Sequence, residues 1–169
     1  MTAERPDLAV FMATSGHSGV DRLAANLLPG IAARGYQVDL LGIHRHGPVI
    51  ESTQPGLRFH QLGARHVDTA FLSLVTYLRD RKPRILLTDK DRVNRIALIA
   101  SRFARPRPRI YVRLGSTVSA KLGDRSPHER ILQSISMRRL YPLADGILFP
   151  SQGAASDFLR FAGTAASRI

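Results

Sequence analysis

The sequence has no cysteine, so neither a disulfide framework nor a thiolate metal site is open to it, and a reducing compartment, the cytoplasm, is expected. It also has no apolar run near the roughly 18 residues that a membrane-spanning helix requires. The start, MTAERPDLAVFMATSGHSG, carries acidic residues and a short apolar stretch ending in polar ones, which does not fit an export signal. The expectation is a chain neither exported nor membrane-spanning. Lysine and acids are scarce: only three of 25 cationic residues are Lys, against 13 acids, for a net charge of +12. Such an excess suits phosphate, nucleic acid or an anionic membrane surface, while a compositional Arg-for-Lys bias explains it equally well.

Known chemical fingerprints are missing as well. The first glycine turn reads Gly-x-x-Gly rather than G-x-G-x-x-G, and no G-x-x-x-x-G-K-[ST] occurs. The second apolar run ends in Ile43-His44-Arg45, without the acidic residue that would hold a ribose, so a dinucleotide site of the usual kind is not expected. No G-x-S-x-G elbow supports a serine hydrolase. The six histidines, His17, His44, His46, His60, His66 and His128, include no i, i+4 pair with an intervening Glu, and no metal site is expected.

What remains is a strong alternation of strand-length apolar runs with helical patterns. A length of 169 residues fits one domain with a real core. Strands are predicted at Leu8–Ala13, Val38–Ile43, Leu57–Leu62, Ile85–Thr88, Ile110–Leu114 and Ile147–Phe149. Helices are predicted at Val20–Arg34, with Leu23, Leu27, Leu28 and Ile31 on one face, at Val67–Leu78, with Phe71, Leu74, Val75 and Leu78, and at Val93–Phe103. Two more follow, at Pro127–Leu140, with Ile131, Ile135 and Met137 among its apolar residues, and from Ser151 through Leu159, closed by Gly163. His44–Gly56 and Gly115–Ser126 read as polar loops. The order β-α-β-β-α-β-α-β-α-β-α argues a doubly wound, mainly parallel α/β sheet, covered on both faces.

In such a sheet a ligand sits beyond the carboxyl ends of the strands, where strand order reverses. Four turns become candidates. The first holds Gly16, Ser18, Gly19, Asp21 and Arg22, where glycines let a backbone approach a ligand and helix N–H groups point at a phosphate or sugar hydroxyl; Asp21 equally suits the helix dipole. The second holds Asp89, as acceptor for a hydroxyl, and Asp91, which caps or charges the start of the helix. The third, Arg113 to Thr117, places Arg113 beside Ser116 and Thr117 for an anionic group, unless Arg113 pairs with Asp89 on the neighbouring strand. The fourth holds Ser151, an N-cap by position and a ligand contact second. Two arginine clusters, Arg79, Arg81, Lys82 and Arg84, and Arg102, Arg105, Arg107 and Arg109, fall at the opposite edge and are expected to face solvent, a membrane or another domain.

The stretch from Ser15 to Arg22, continued by LAANLLPGIAARGYQVDLLGI, resembles the first strand, glycine-rich turn and first helix of the retaining GT-B glycosyltransferases of family GT4. VDTAFLSLVTYLRDRKPRILLTD and ADGILFPSQGAASDFLRFAG are similar to two later segments of that family. The resemblance implies a Rossmann-like amino-terminal domain over residues 1–163, with 164–169 starting the linker to a carboxyl-terminal, donor-binding domain that is absent. It implies transfer of a hexose from a nucleotide-sugar, a substrate rather than a cofactor, to a saccharide or lipid-linked saccharide, with no metal and little activity for this half alone. Gly16, Ser18 and Gly19 match the turn that lies against donor phosphate and acceptor, and Asp21 and Arg22 the acidic-basic pair opening its helix. Where several members carry a His after the fifth strand, this chain has Arg113 to Thr117, which implies a different acceptor and no inherited base. Arg102, Arg105 and Arg107 are the candidates for holding an anionic membrane surface, which would make the protein peripheral on the inner face. A stand-alone nucleotide or sugar-phosphate binding module is the alternative reading. Nucleic-acid binding comes third, because only Phe103 and Tyr111 lie near the second arginine cluster.

Overall fold

Strand formation follows the aliphatic runs closely. In the computed structural model, which describes residues 4–14, 16, 18–44, 46–48, 50, 53–119 and 126–162, six strands form: β1 (Leu8–Met12), β2 (Val38–Gly42), β3 (Leu57–Gln61), β4 (Ile85–Asp89), β5 (Arg109–Arg113) and β6 (Gly146–Leu148). Among the described residues five helices with both ends described connect or follow them: α1 (Gly19–Ala32), α2 (Phe71–Arg81), α3 (Asp91–Ala100), α4 (Pro127–Arg139) and α5 (Gln152–Ala162). Short 3-10 turns at Asp68–Ala70, Ser101–Phe103 and Tyr141–Leu143 extend α2, α3 and α4. All pairings are parallel, in the order β3-β2-β1-β4-β5-β6. The succession and the doubly wound sheet are those the sequence predicts. Residues 163–169, where the domain end and linker were expected, lie outside the described residues, as do Ser15, His17, Arg45 and 120–125.

The sheet is buried on both faces in its centre, because strand side chains alternate. Ala9, Phe11, Leu41, Leu86, Ile110 and Val112 pack against α2 to α5. Val10, Met12, Val38 and Leu40 pack against Ala24, Leu28 and Ala32 of α1. The cover is therefore uneven: among the described residues α1 is the one helix on its face. On that side Tyr111 lies so close over Gly146 that a Cβ there would stand 2.8 Å from the ring, so any larger residue would have to displace the Tyr111 ring.

Helix faces depart from the predicted ones in two places. In α1 the buried stripe is Asp21, Ala24, Leu28 and Ala32, whereas Leu23 and Leu27 are 38% and 43% exposed. Small Ala24 and Ala32 bring the helix down onto the sheet, which turns the flanking leucines outward. In α4 Met137 is buried, but so are Gln133 and Ser136, while Ile131 and Ile135 are exposed. The expected polar loop also ends early, since Val118 is buried and, with Ser119, already helical; the Asp157 carboxylate accepts the Ser119 N–H at 2.9 Å.

Candidate functional site

Strand order reverses between β1 and β4: β1 leads through α1 to β2 on one side, and β4 leads through α3 to β5 on the other. Register aligns their ends, with Met12 opposite Asp89, Asp89 opposite Arg113, and Arg113 opposite Leu148. The turns holding Gly16 to Arg22, Asp89, Arg113 to Thr117 and Ser151 thus leave the sheet along one line. At about 4.8 Å per strand, that line is roughly 14 Å long. The first three turns flank the switch point, and Ser151 stands at the far end.

The glycine turn is held from within. Gly16 takes φ +88°, a left-handed conformation that glycine adopts without steric cost. Ser18 caps α1, and its N–H donates to Asp21 Oδ2 at 2.7 Å. The Ser18 hydroxyl also donates to Oδ2, and the Thr14 hydroxyl, from the end of β1, donates to Oδ1. Three donors therefore occupy the buried Asp21 carboxylate. Burial pushes its carboxyl up, but the hydrogen bonds from Ser18 and Thr14 and the positive charge of Lys90 outweigh that and hold it below its ordinary value. A methyl group at Gly19 would meet nothing within 4 Å. Packing does not require glycine there, and its absence of a side chain leaves an open approach to the amino end of α1, whose first-turn N–H groups the helix itself cannot use. Arg22 is exposed on the next turn.

Across the switch point, Asp89 and Arg113 pair, as one of the two sequence readings anticipates. Asp89, 1% exposed, accepts the Lys90 N–H at 2.7 Å and the Arg113 guanidinium. Arg113 keeps about a fifth of its side chain accessible, at 22%, and stands beside Gly115. The Ser116 hydroxyl is buried and has no hydrogen-bond partner among the described residues, which leaves it available to a ligand in the cleft. Asp91 places its charge in the first turn of α3, as one of the two readings anticipates, rather than capping it; it accepts the Tyr141 hydroxyl at 2.9 Å and faces Arg95 at 3.6 Å. Asn94 joins these elements, accepting from Thr88 and donating to the Arg113 carbonyl. Ser151 caps α5, accepting the Ala154 N–H at 3.2 Å.

Lys90 was not singled out by the sequence. It sits between the two acids at φ +73°, ψ +137°, a conformation costly for any residue with a Cβ. Its positive charge acts on Asp21 and helps to lower that carboxyl's pKa. Nothing in a one-dimensional sequence marks that angle; the polar triplet Asp89-Lys90-Asp91 ending a buried strand was the only signal.

The arginine clusters occupy the opposite edge. Arg81 does not simply face solvent: with Arg58 it pairs with Asp39, buried in β2, at 3.5 and 2.9 Å. Tyr77 donates to the same carboxylate at 2.7 Å, and burial together with Asp39 pushes its hydroxyl far up. Arg84 pairs with Asp7. Arg102, Arg105 and Arg107 line a shallow pocket of about 360 Å³ with Pro142, Leu143, Ala144 and Asp145. Arg107 pairs with Asp145 at 3.1 Å, while Arg105 donates to the carbonyls of Arg102 and Ala104 at 3.1 and 2.9 Å.

A parallel sheet in this order, with helices on both faces, defines a Rossmann-like α/β half-domain. The chain belongs to the glycosyl transferase 4-like domain family, whose model matches residues 18–169. Among solved structures it is similar to the lipopolysaccharide outer core galactosyltransferase WaaB in its apo form, with TM-score 0.62 and 14% identity over 94% of this chain. At that identity the likeness shows the fold. The chain spans 43% of the WaaB structure, less than half its length. A short-chain dehydrogenase/reductase from Burkholderia vietnamiensis is 16% identical over 97% of this chain and 96% of its own, with TM-score 0.43, too low to indicate a common fold. No curated protein matches the sequence.

Proposed function

We propose that this chain is the acceptor-side half of a retaining glycosyltransferase that moves a hexose from a nucleotide-sugar to a saccharide or lipid-linked saccharide, in the building of cell-surface polysaccharide or lipopolysaccharide. The observation that carries the proposal is the switch-point turn, with an open glycine at the amino end of α1 and the charge of Lys90 acting on its Asp21, in a chain that matches a glycosyltransferase family over residues 18–169. The α1 amino end and Lys90 attract the donor phosphates, and Ser116, Thr117 and Arg113 meet acceptor hydroxyl or anionic groups. A second, carboxyl-terminal domain holds the nucleotide and closes over the cleft, excluding water.

In the reaction, the bond from sugar C1 to the donor phosphate oxygen breaks and a bond from C1 to the acceptor oxygen forms on the same face. The acceptor proton passes to the departing phosphate. Neither a metal nor a cofactor takes part, and the nucleotide-sugar is substrate only. An acceptor anchored in an anionic membrane gives Arg102, Arg105 and Arg107 a purpose as contacts to acidic head groups, with the protein peripheral on the cytoplasmic face.

Calorimetry with UDP- and GDP-sugars tests the reading, on this chain alone and joined to the carboxyl-terminal domain of a family member. Binding and transfer only in the joined form are expected. Tight binding by the chain alone would mean that its own cleft is complete and that it is a stand-alone binding module.

A further inference from the structure

One edge of the sheet ends in an unpaired strand. β3 lies outside β2, and its exposure rises along the chain from buried Leu57 to exposed Phe59, His60 and Gln61. The Val38 N–H donates to the Gly56 carbonyl at 2.7 Å, and the Leu62 N–H to the Gly42 carbonyl at 2.9 Å. Because backbone bonds alternate between the two sides of a strand, Arg58 and His60 bond towards β2 in this register, and the N–H and C=O of Phe59 and Gln61 point outward. Among the described residues no strand pairs with them. Open edges are ordinarily blunted by lysine, proline or a bulge. LRFHQ has neither residue, its register with β2 is unbroken, and its one charge, Arg58, is bonded to Asp39 at 2.9 Å.

Both faces beside this edge are open too. Leu57 packs with the α1 cluster, so odd-numbered side chains lie on that face, and Phe59 stands there at the rim, 51% exposed. On the other face His60 packs on Tyr77 of α2, with ring centroids 4.9 Å apart. A groove of about 400 Å³ runs between the strand edge and α2, with Leu62, Leu72, Thr76 and Asp80 among its lining residues. Leu72 is 73% exposed, more than any other large apolar side chain among the described residues.

Self-complementarity identifies the occupant as a second copy of the chain. Phe59 is the middle residue of β3, and its free backbone groups are those that face outward. A two-fold axis through it, normal to the sheet, sets two β3 strands antiparallel with Phe59 opposite Phe59, each donating its N–H to the other's carbonyl. The Gln61 N–H of each copy then meets the Leu57 carbonyl of the other; the Leu57 N–H is already given to the Gln54 carbonyl at 3.1 Å. Arg58 comes to stand opposite His60 rather than opposite itself. Asp39 already holds Arg58 and Arg81, at 2.9 and 3.5 Å, so the strands meet without unpaired cations face to face. The two Phe59 rings pack together on one face, and the two α2 helices flank the junction on the other, with Leu72 at its rim. The chain leaves the sheet through β6 and α5 at the opposite edge, and the cleft lies at the strand ends, so neither competes for this surface.

We infer that β3 is a self-association edge, at which two copies of the chain pair antiparallel around Phe59 and join their sheets into one. One short strand and one groove make a small interface, so the dimer is weak and concentration-dependent rather than obligate. Antiparallel pairing turns the two clefts to opposite ends, and each stays open. The inference is independent of the glycosyl-transfer reading.

Sedimentation velocity of the chain across the micromolar range tests the inference, and a monomer-to-dimer transition is expected. Phe59→Lys sets like charges opposite each other at the axis and weakens the dimer about tenfold or more. Phe59→Pro removes only an outward N–H, which an edge strand tolerates, and weakens it as well. Both variants are checked for folding by circular dichroism. The sequence contains no cysteine, so single substitutions read the register directly. Opposed residues of an antiparallel pair lie about 5.5 Å apart at Cα, within reach of a disulfide. Under a mild oxidant, Phe59→Cys chains are therefore expected to cross-link to one another, whereas Ile131→Cys chains, changed at an exposed site on α4, stay single. Should the Lys or Pro variant fail to fold, the cross-linking pair decides alone. A chain that is monomeric throughout the range, or a dimer that folded Phe59→Lys and Phe59→Pro both leave intact, would overturn the inference. So would a dimer that Phe59→Lys dissolves but Phe59→Cys does not cross-link, because the contact would then run through side chains without strand pairing.

Discussion

Asp21 shows how a residue can sit in a candidate site and act on its shape. Its carboxylate is 4% exposed and accepts from Ser18 and Thr14, tying the end of β1 to the start of α1. Because the folded group is held below its ordinary value of 3.8, the unfolded chain takes up the proton first as pH falls. The stability it contributes is present above that value and is lost as pH drops through the folded one. Asp21→Asn is expected to cost about 1–3 kcal/mol near neutral pH and to flatten the acid limb of a Tm against pH curve below about pH 4. An unchanged acid limb would mean that the carboxylate does not stabilise the turn. Thr14 carries the same argument from the other side, and its hydroxyl was legible only as a polar residue ending a buried run.

The junction of β4 with α3 is the element on which the cleft depends. Lys90 is forced to positive φ because Asp89 takes its N–H and the Arg113 guanidinium, while Asp91 is drawn to Tyr141. Such a backbone costs about 1–3 kcal/mol. Lys90→Gly relieves the strain, against a chain-entropy loss of about 0.5–1 kcal/mol. The expected net is a Tm higher by about 2–4 °C, together with weaker nucleotide-sugar binding in the joined protein, read by calorimetry. A lower Tm would show that the lysine side chain itself holds the turn. Reversed polarity in α4 belongs to the same scale: spacing located that helix, but neighbours decided which side faces the sheet.

At the scale of the molecule, a net charge of +12 acts at long range. The Debye length falls from about 10 Å at 0.1 M salt to about 3 Å at 1 M. If the proposed electrostatic contact of Arg102, Arg105 and Arg107 with acidic head groups holds, association with anionic vesicles, followed by stopped-flow, is expected to slow about tenfold or more over that range. A rate indifferent to salt would remove the electrostatic part. The uneven cover of the sheet also belongs here. Four helices back one face, and among the described residues only α1 backs the other, although parallel sheets are ordinarily covered on both.

By itself the sequence determined the element order, the parallel doubly wound sheet, the glycine turn at the first strand and the Asp89–Arg113 alternative, because periodicity, turn residues and strand ends are local properties. It also carried the family resemblance. Tertiary structure alone decided that Leu23, Leu27, Ile131 and Ile135 face outward, that Arg81 is spent on Asp39, and that Lys90 takes a positive φ at the switch point. Those outcomes depend on which neighbour a side chain meets and on the backbone angle a junction is forced to adopt. Neither is written into residue spacing; both follow only when strands β1, β4 and β5 lie side by side in register.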